Sequence, residues 1–242
     1  YAGAPNAEVL PFENNSIEGS NSVIARDWSR FLADVAVANK LIINIDSVSD
    51  PALTAAEKAQ YTAEAKILRA MIYFDMVRMW GSVPLITTIA GDITSESIDE
   101  VYPQYFPKQN SEEEVYKQIE KDLLESLSAA PNMDAGNKTR LSKTVARTLL
   151  TKVYAEKPLR DYAKVIQYAD QVAADGCELT PDYTNLFGMN EANTDTKMRN
   201  TIESILEIQY TPGNGNWATW MFGRDLINWN SNFSWTKWVP PS

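Results

Sequence analysis

Between Tyr61 and Met79 apolar residues recur every three to four positions, at Tyr61, Ala65, Leu68, Ile72, Met76 and Met79. That is the spacing of one buried helical face. Met71, Tyr73, Phe74, Val77 and Trp80 carry the apolar surface well past a single stripe, which predicts a helix covered on more than one side. Thr54 and Glu57 have the spacing of a capping box, in which each side chain reaches the other's free backbone amide, so the helix is expected to begin near Ala55. Gly81 supplies its stop and Pro84 prevents resumption, leaving residues 83–88 extended. Upstream, Ser22 is placed to cap a helix over residues 23–45 with Ile24, Trp28, Phe31, Val35, Ile42 and Ile45 on its inner face. With the turn at 46–54, the two make an antiparallel hairpin over about 22–80.

Residues 89–110 combine Tyr102, Pro103, Tyr105 and Pro107 with acidic side chains and no helical period, and read as a surface loop. Ser111 and Glu114 form a second capping box, and Val115, Ile119, Leu123 and Leu127 line one face before Pro131. The next helix is expected to bury Val145, Leu149, Leu150 and Val153. Its partner is expected to bury Tyr162, Val165, Ile166, Ala169 and Val172 and to stop at Gly176. Ala146, Ala163 and Ala169 are small enough to let these helices approach closely, although no strict 34-residue repeat is visible. Ile202, Ser204, Leu206, Ile208 and Tyr210 alternate with Glu203, Ile205, Glu207 and Gln209, the pattern of a short strand or extended segment. The expected fold is all-α: helix pairs over about 22–80 and 111–176 in one domain, a loop-rich segment at 211–242, and at most a short β-pair.

Composition removes several function classes. A formal net charge of −10 opposes nucleic-acid binding, which needs a positive footprint. The chain has no histidine, which excludes Ser-His-Asp and Cys-His nucleophilic sites and any imidazole-bound metal. Its one cysteine, Cys177, allows neither an internal disulfide nor a thiolate-rich zinc site and reads as a buried bystander thiol. No metal or cofactor is expected. No apolar run approaches the ~20 residues that span a bilayer.

The candidate chemistry lies near the end of the chain. Trp217, Trp220, Trp229, Trp235 and Trp238 fall within 22 residues, interleaved with Asn216, Arg224, Asp225, Asn228 and Asn230. A pyranose ring has an apolar C–H face that an indole covers and a rim of hydroxyls that amide, carboxylate and guanidinium groups pair with. The same aromatics also serve to pin an irregular segment onto a helical core. Trp28 and Trp80 sit on apolar helical positions and are expected to pack rather than bind. Hydrolysis would need two carboxylates ~5–9 Å apart, whereas Asp225 is the lone acid after position 210.

The order EAKILRAMIYFDMVRMWGSVPL at residues 64–85 resembles the SusD/RagB family of glycan-binding outer-membrane lipoproteins. Residues 111–131, the helix pair at 142–174 and TIESILEIQY at 201–210 are similar to later parts of that family, as is WTKWVPPS at 235–242. The resemblance implies a tetratricopeptide-like fold and non-catalytic capture of an oligosaccharide at the extracellular face of a Gram-negative outer membrane. It implies delivery to a SusC-like TonB-dependent transporter. It also implies a protein about twice as long, with a signal, a lipid-anchor cysteine and a large C-terminal portion beyond these residues, any membrane attachment coming through that anchor. In the family, sugar sites are built from loop aromatics with Asn, Asp and Arg at positions that vary, so a type of site is carried over rather than a residue-by-residue match. Two other readings stand beside it: a tetratricopeptide-like scaffold gripping a protein partner, and a carboxylate-dependent glycoside hydrolase.

Overall fold

The computed structural model describes residues 10–186 and 198–209, and within them the chain is helical with no strand. Seven α-helices follow one another: α1 (Leu10–Glu13), α2 (Ser22–Asn44), α3 (Ala55–Trp80), α4 (Ile98–Val101), α5 (Glu112–Ser126), α6 (Lys143–Ala155) and α7 (Tyr162–Ala174). The described residues cluster into two compact units. The larger comprises Trp28–Leu179 with Ile202–Leu206. The smaller includes residues 10–27, 180–186, 198–201 and 207–209.

Local signals set the helix ends. Both capping boxes form, Thr54 with Glu57 at α3 and Ser111 with Glu114 at α5. Asp161 caps α7 by accepting from the amides of Ala163 and Lys164. Gly81 and Gly176 end α3 and α7 at φ of 71° and 91°, backbone that a side chain rarely adopts. One cap differs from expectation: Asn21, not Ser22, opens α2, its Oδ1 accepting from the Val23 amide at 2.9 Å and the Ile24 amide at 3.4 Å. Asparagine and serine cap comparably, so the sequence allowed either register.

Helix α3 is the axis of the larger unit. It buries Ala63, Ile67, Ala70, Tyr73, Met76 and Val77 together with Ala65, Ile72 and Phe74, so apolar contact surrounds it as its composition requires. Helix α2 runs antiparallel beside it: Trp28 meets Trp80 and Asn39 meets Arg69. Helix α5 is also antiparallel to α3, with Lys66 at Glu125, Arg69 at Asp122 and Phe74 at Tyr116. Val115, Ile119 and Leu123 are buried as expected, while α5 ends at Ser126, before Leu127.

Helices α6 and α7 form the second antiparallel pair. Tyr154 stacks on Tyr168 with centroids 5.9 Å apart and planes 7° apart, and Arg147 pairs with Asp175 beyond it. Helix α6 buries Val145, Leu149, Leu150 and Val153. Helix α7 is rotated from the expected face. Tyr168 is buried and Val165 and Val172 are half-buried, whereas Tyr162 and Ile166 are 61% and 63% exposed and Ala169 is also exposed. The inward face carries Lys164, Tyr168 and Val172, spaced four apart; Tyr168 stacks on Tyr154 there, and the Lys164 ammonium lies 4.4 Å from the Tyr154 ring centroid and 3.5 Å from Glu120.

Of the two expectations for residues 201–209, a short strand or an extended segment, the strand does not form; the backbone turns at Ile202–Glu203 and bends at Ile205–Leu206. The Ile202 carbonyl accepts from the Glu178 amide, and the Ser204 carbonyl accepts from Lys138 at 2.6 Å. Isolated donors therefore take carbonyls that a ladder would need. Among the described residues only two isolated bridges occur, Val83 with Asn110 and Asp134 with Asn137.

Candidate functional site

The segment after α3 is held by a buried polar network. Arg69 binds Asp122 through two parallel bonds, Nε to Oδ2 at 2.8 Å and Nη2 to Oδ1 at 2.7 Å. Its Nη1 donates to Asn39 Oδ1 at 2.7 Å, and Asn39 Nδ2 donates to the Ile86 carbonyl at 2.9 Å. The Tyr73 hydroxyl closes the chain by accepting from the Ile86 amide at 2.7 Å and donating to its carbonyl at 3.1 Å. Burial pushes the Tyr73 phenol up to about 12. Asn110 fixes the other edge, its amide donating to the Val83 carbonyl and its Oδ1 accepting from the Leu85 amide. Extended backbone that cannot satisfy itself is thus satisfied by α2, α3 and Asn110.

That base carries a lobe formed by residues 89–110. Helix α4 leads into a 3₁₀ turn at Tyr102–Tyr105, and Val101 packs inward. Gly91 is the staple: its amide donates to Gln104 Oε1 at 3.3 Å and its carbonyl accepts from the Tyr105 hydroxyl at 3.0 Å. A Cβ there would approach Val101 to 3.3 Å. The outer surface is apolar: Ile89, Ile93 and Ile98 are exposed on it together with three aromatic rings. Tyr102, Tyr105 and Phe106 are 52%, 49% and 65% exposed, and the Tyr102 and Phe106 rings lie 4.9 Å apart, tilted by 42°. With no helical period, residues 89–110 were expected to be a surface loop, and no binding role attached to these rings. The signal available was three aromatics within the five residues YPQYF.

A second aromatic group closes the end of α3. Trp80 receives Trp28 and Phe31 edge-on, at 5.2 and 5.8 Å. Both tryptophans are half-buried against the core, in the packing role expected of them. Phe31, Asp75, Arg78 and Met79 line a shallow hollow beside them. Arg78 lies 5.0 Å from the Phe74 ring centroid, and burial raises the Asp75 carboxyl above its ordinary value. Elsewhere, Cys177 Sγ sits 3.8 Å from Met133 Sδ, and burial pushes its thiol up, away from the reactive thiolate. Among the described residues no group of three or more Cys, Asp or Glu is placed to hold a metal ion.

The ten residues expected to bind sugar, Trp217, Trp220, Trp229, Trp235, Trp238, Asn216, Arg224, Asp225, Asn228 and Asn230, all lie outside the described residues. No helix among the described residues is long and apolar enough to cross a membrane.

Residues 4–155 match the SusD-like family described as starch-binding and associating with the outer membrane. The chain belongs to the SusD-like family. A SusD-like protein of Bacteroides ovatus is 30% identical over 199 residues, covering 76% of this chain and 32% of that protein. The crystal structure of a SusD-like protein from Bacteroides fragilis superposes with a TM-score of 0.64 at 25% identity, covering 84% of this chain and 37% of the other. A laminarin-binding SusD-like protein superposes with a TM-score of 0.61 at 28% identity, covering 75% and 38%. The chain therefore spans about a third of the length of the curated relatives it matches. The all-helical fold of the described residues of this SusD-like chain agrees with that membership.

Proposed function

We propose that this SusD-like chain belongs to a protein that captures an oligosaccharide at the extracellular face of the outer membrane, without hydrolysing it, and delivers it to a SusC-like TonB-dependent transporter. The observation that carries the reading is the family match across 4–155, supported by likeness to a chain named for laminarin binding. The composition supports a non-catalytic role, since histidine is absent and no acid pair in the Trp-rich segment could flank a glycosidic bond. Within this reading Trp217, Trp220, Trp229, Trp235 and Trp238 supply stacking faces, and Asn216, Arg224, Asp225, Asn228 and Asn230 bind the hydroxyl rim.

The test is a glycan array on the full-length protein, followed by alanine substitution of each of the five tryptophans. At least one variant should bind a captured glycan tenfold or more weakly, about 1.4 kcal/mol, with its melting temperature preserved. No reducing ends should be released from any bound glycan. Binding of a peptide or protein partner with no glycan bound would replace this reading with the scaffold one. Turnover abolished by a single Asp or Glu substitution would replace it with the hydrolase.

A further inference from the structure

The lobe at 89–110 is built to present aromatic surface rather than to hide it. Folding buries apolar area wherever it can, at about 25 cal/mol per Å². Even so, Tyr102 and Phe106 keep more than half of their surface in solvent. The loop that carries them is braced: the Tyr105 hydroxyl and the Gln104 amide group tie it to Gly91, and Gln104 Nε2 also donates to the Glu100 carbonyl at 3.3 Å. Pro103 fixes the backbone between the two outer rings. A braced loop loses little conformational freedom when something stacks on it.

Charge narrows what can stack there. Asp92, Glu96, Asp99 and Glu100 are exposed on the same lobe, against one exposed cation, Lys108. The whole chain carries a formal charge of −10. A polyanionic ligand would meet like charge both locally and over the approach. A neutral sugar ring meets apolar faces, with carboxylates beside them that accept from its hydroxyls.

We propose that the exposed Tyr102–Phe106 pair is a glycan contact that takes neutral sugar rings by stacking, and that the acids around it turn away sulfated and uronic-acid glycans. The contact rests on the glycan-capture reading and adds to it a second surface and a ligand class.

The experiment uses full-length protein and calorimetric titration with three probes: a neutral β-1,3-linked glucohexaose, a neutral β-1,4-linked glucohexaose and a sulfated galactan oligosaccharide. Tyr102→Ala and Phe106→Ala should each weaken neutral-glycan binding roughly threefold to tenfold, the range for one lost ring contact. Both side chains are exposed, so melting temperatures should stay near that of the parent. Glu96→Lys with Glu100→Lys should raise affinity for the sulfated probe, more so at low salt. Unchanged neutral-glycan binding in both alanine variants, while a tryptophan variant loses it, overturns this contact and leaves glycan capture standing. Preference of the parent protein for the sulfated probe also overturns it. If the parent binds no glycan in this set or on the array, both readings fall. Retained glycan binding with loss of transporter association in the two variants would make the lobe a protein-docking surface instead.

Discussion

Replacing Asp122 tests the central claim about the core, that one ion pair locks α3 to α5 and to the extended segment. Arg69 is 4% exposed and Asp122 1% exposed, so water cannot replace a lost partner. Asp122→Ala removes two charge-assisted bonds to Arg69 and the bond from Gln118 Nε2 at 2.9 Å. It leaves a guanidinium buried with Asn39 alone. Breaking such a pair from one side costs roughly 3–5 kcal/mol, most of it the stranded charge. For the 242-residue chain on its own that lowers the melting temperature by about 6–20 °C, at roughly 2–4 °C per kcal/mol. Removing both charges with Arg69→Met and Asp122→Ala should cost less than the sum of the two single changes, because no charge is then left unpaired. Urea unfolding of the wild type, both single variants and the double variant at neutral pH completes the cycle. Single variants that each lose under about 1 kcal/mol and add without coupling would refute the argument, since that is how a solvated pair behaves.

Trp80→Ala should destabilise by roughly 3 kcal/mol through lost packing against Trp28 and Phe31, seen in thermal melts, with no selective loss of glycan; a normally stable variant that no longer binds would move Trp80 into the site. Tyr73→Phe strands the Ile86 amide and should cost roughly 1–3 kcal/mol, read from urea midpoints. The Tyr73 and Tyr116 phenols are both pushed up to about 12, chiefly by burial, above the ordinary phenol value of 10. The folded state therefore holds protons that the unfolded state has released, and this stability is intact below pH 10 and is lost as pH rises towards 12. Urea midpoints should fall across that window, less steeply in Tyr73→Phe. Gly81→Ala places a side chain at φ 71°, ψ −120°, with its Cβ 3.3 Å from Glu112 Oε1, and should cost roughly 1–3 kcal/mol by calorimetry.

The sequence by itself determined whatever rests on neighbours a few positions apart. Thr54 with Glu57, Ser111 with Glu114, and the glycines at 81 and 176 act over one helical turn, and each stands where its spacing placed it. The apolar girth of α3 likewise announced a central helix, because a helix that is apolar on most sides has to be covered on most sides. Tertiary structure decided the rest. Arg69 has no acid three or four positions away in its own helix, and it pairs with Asp122 of α5, 53 positions along the chain, through two aligned charge-assisted bonds that only the packing of α3 on α5 brings together. The rotation of α7 was hidden because its apolar residues span a face wide enough for two orientations, and the contacts with α6, Tyr168 stacked on Tyr154 among them, show which one is inward. Alternation at 202–210 allowed a strand or an extended segment, but a strand exists only where another offers a ladder, and over 201–209 the carbonyls of Ile202 and Ser204 instead accept from the Glu178 amide and Lys138. The rings of Tyr102 and Phe106 were plain in the sequence; that they face solvent depended on the distant tie from Gly91 to Gln104 and Tyr105, which period and spacing do not encode.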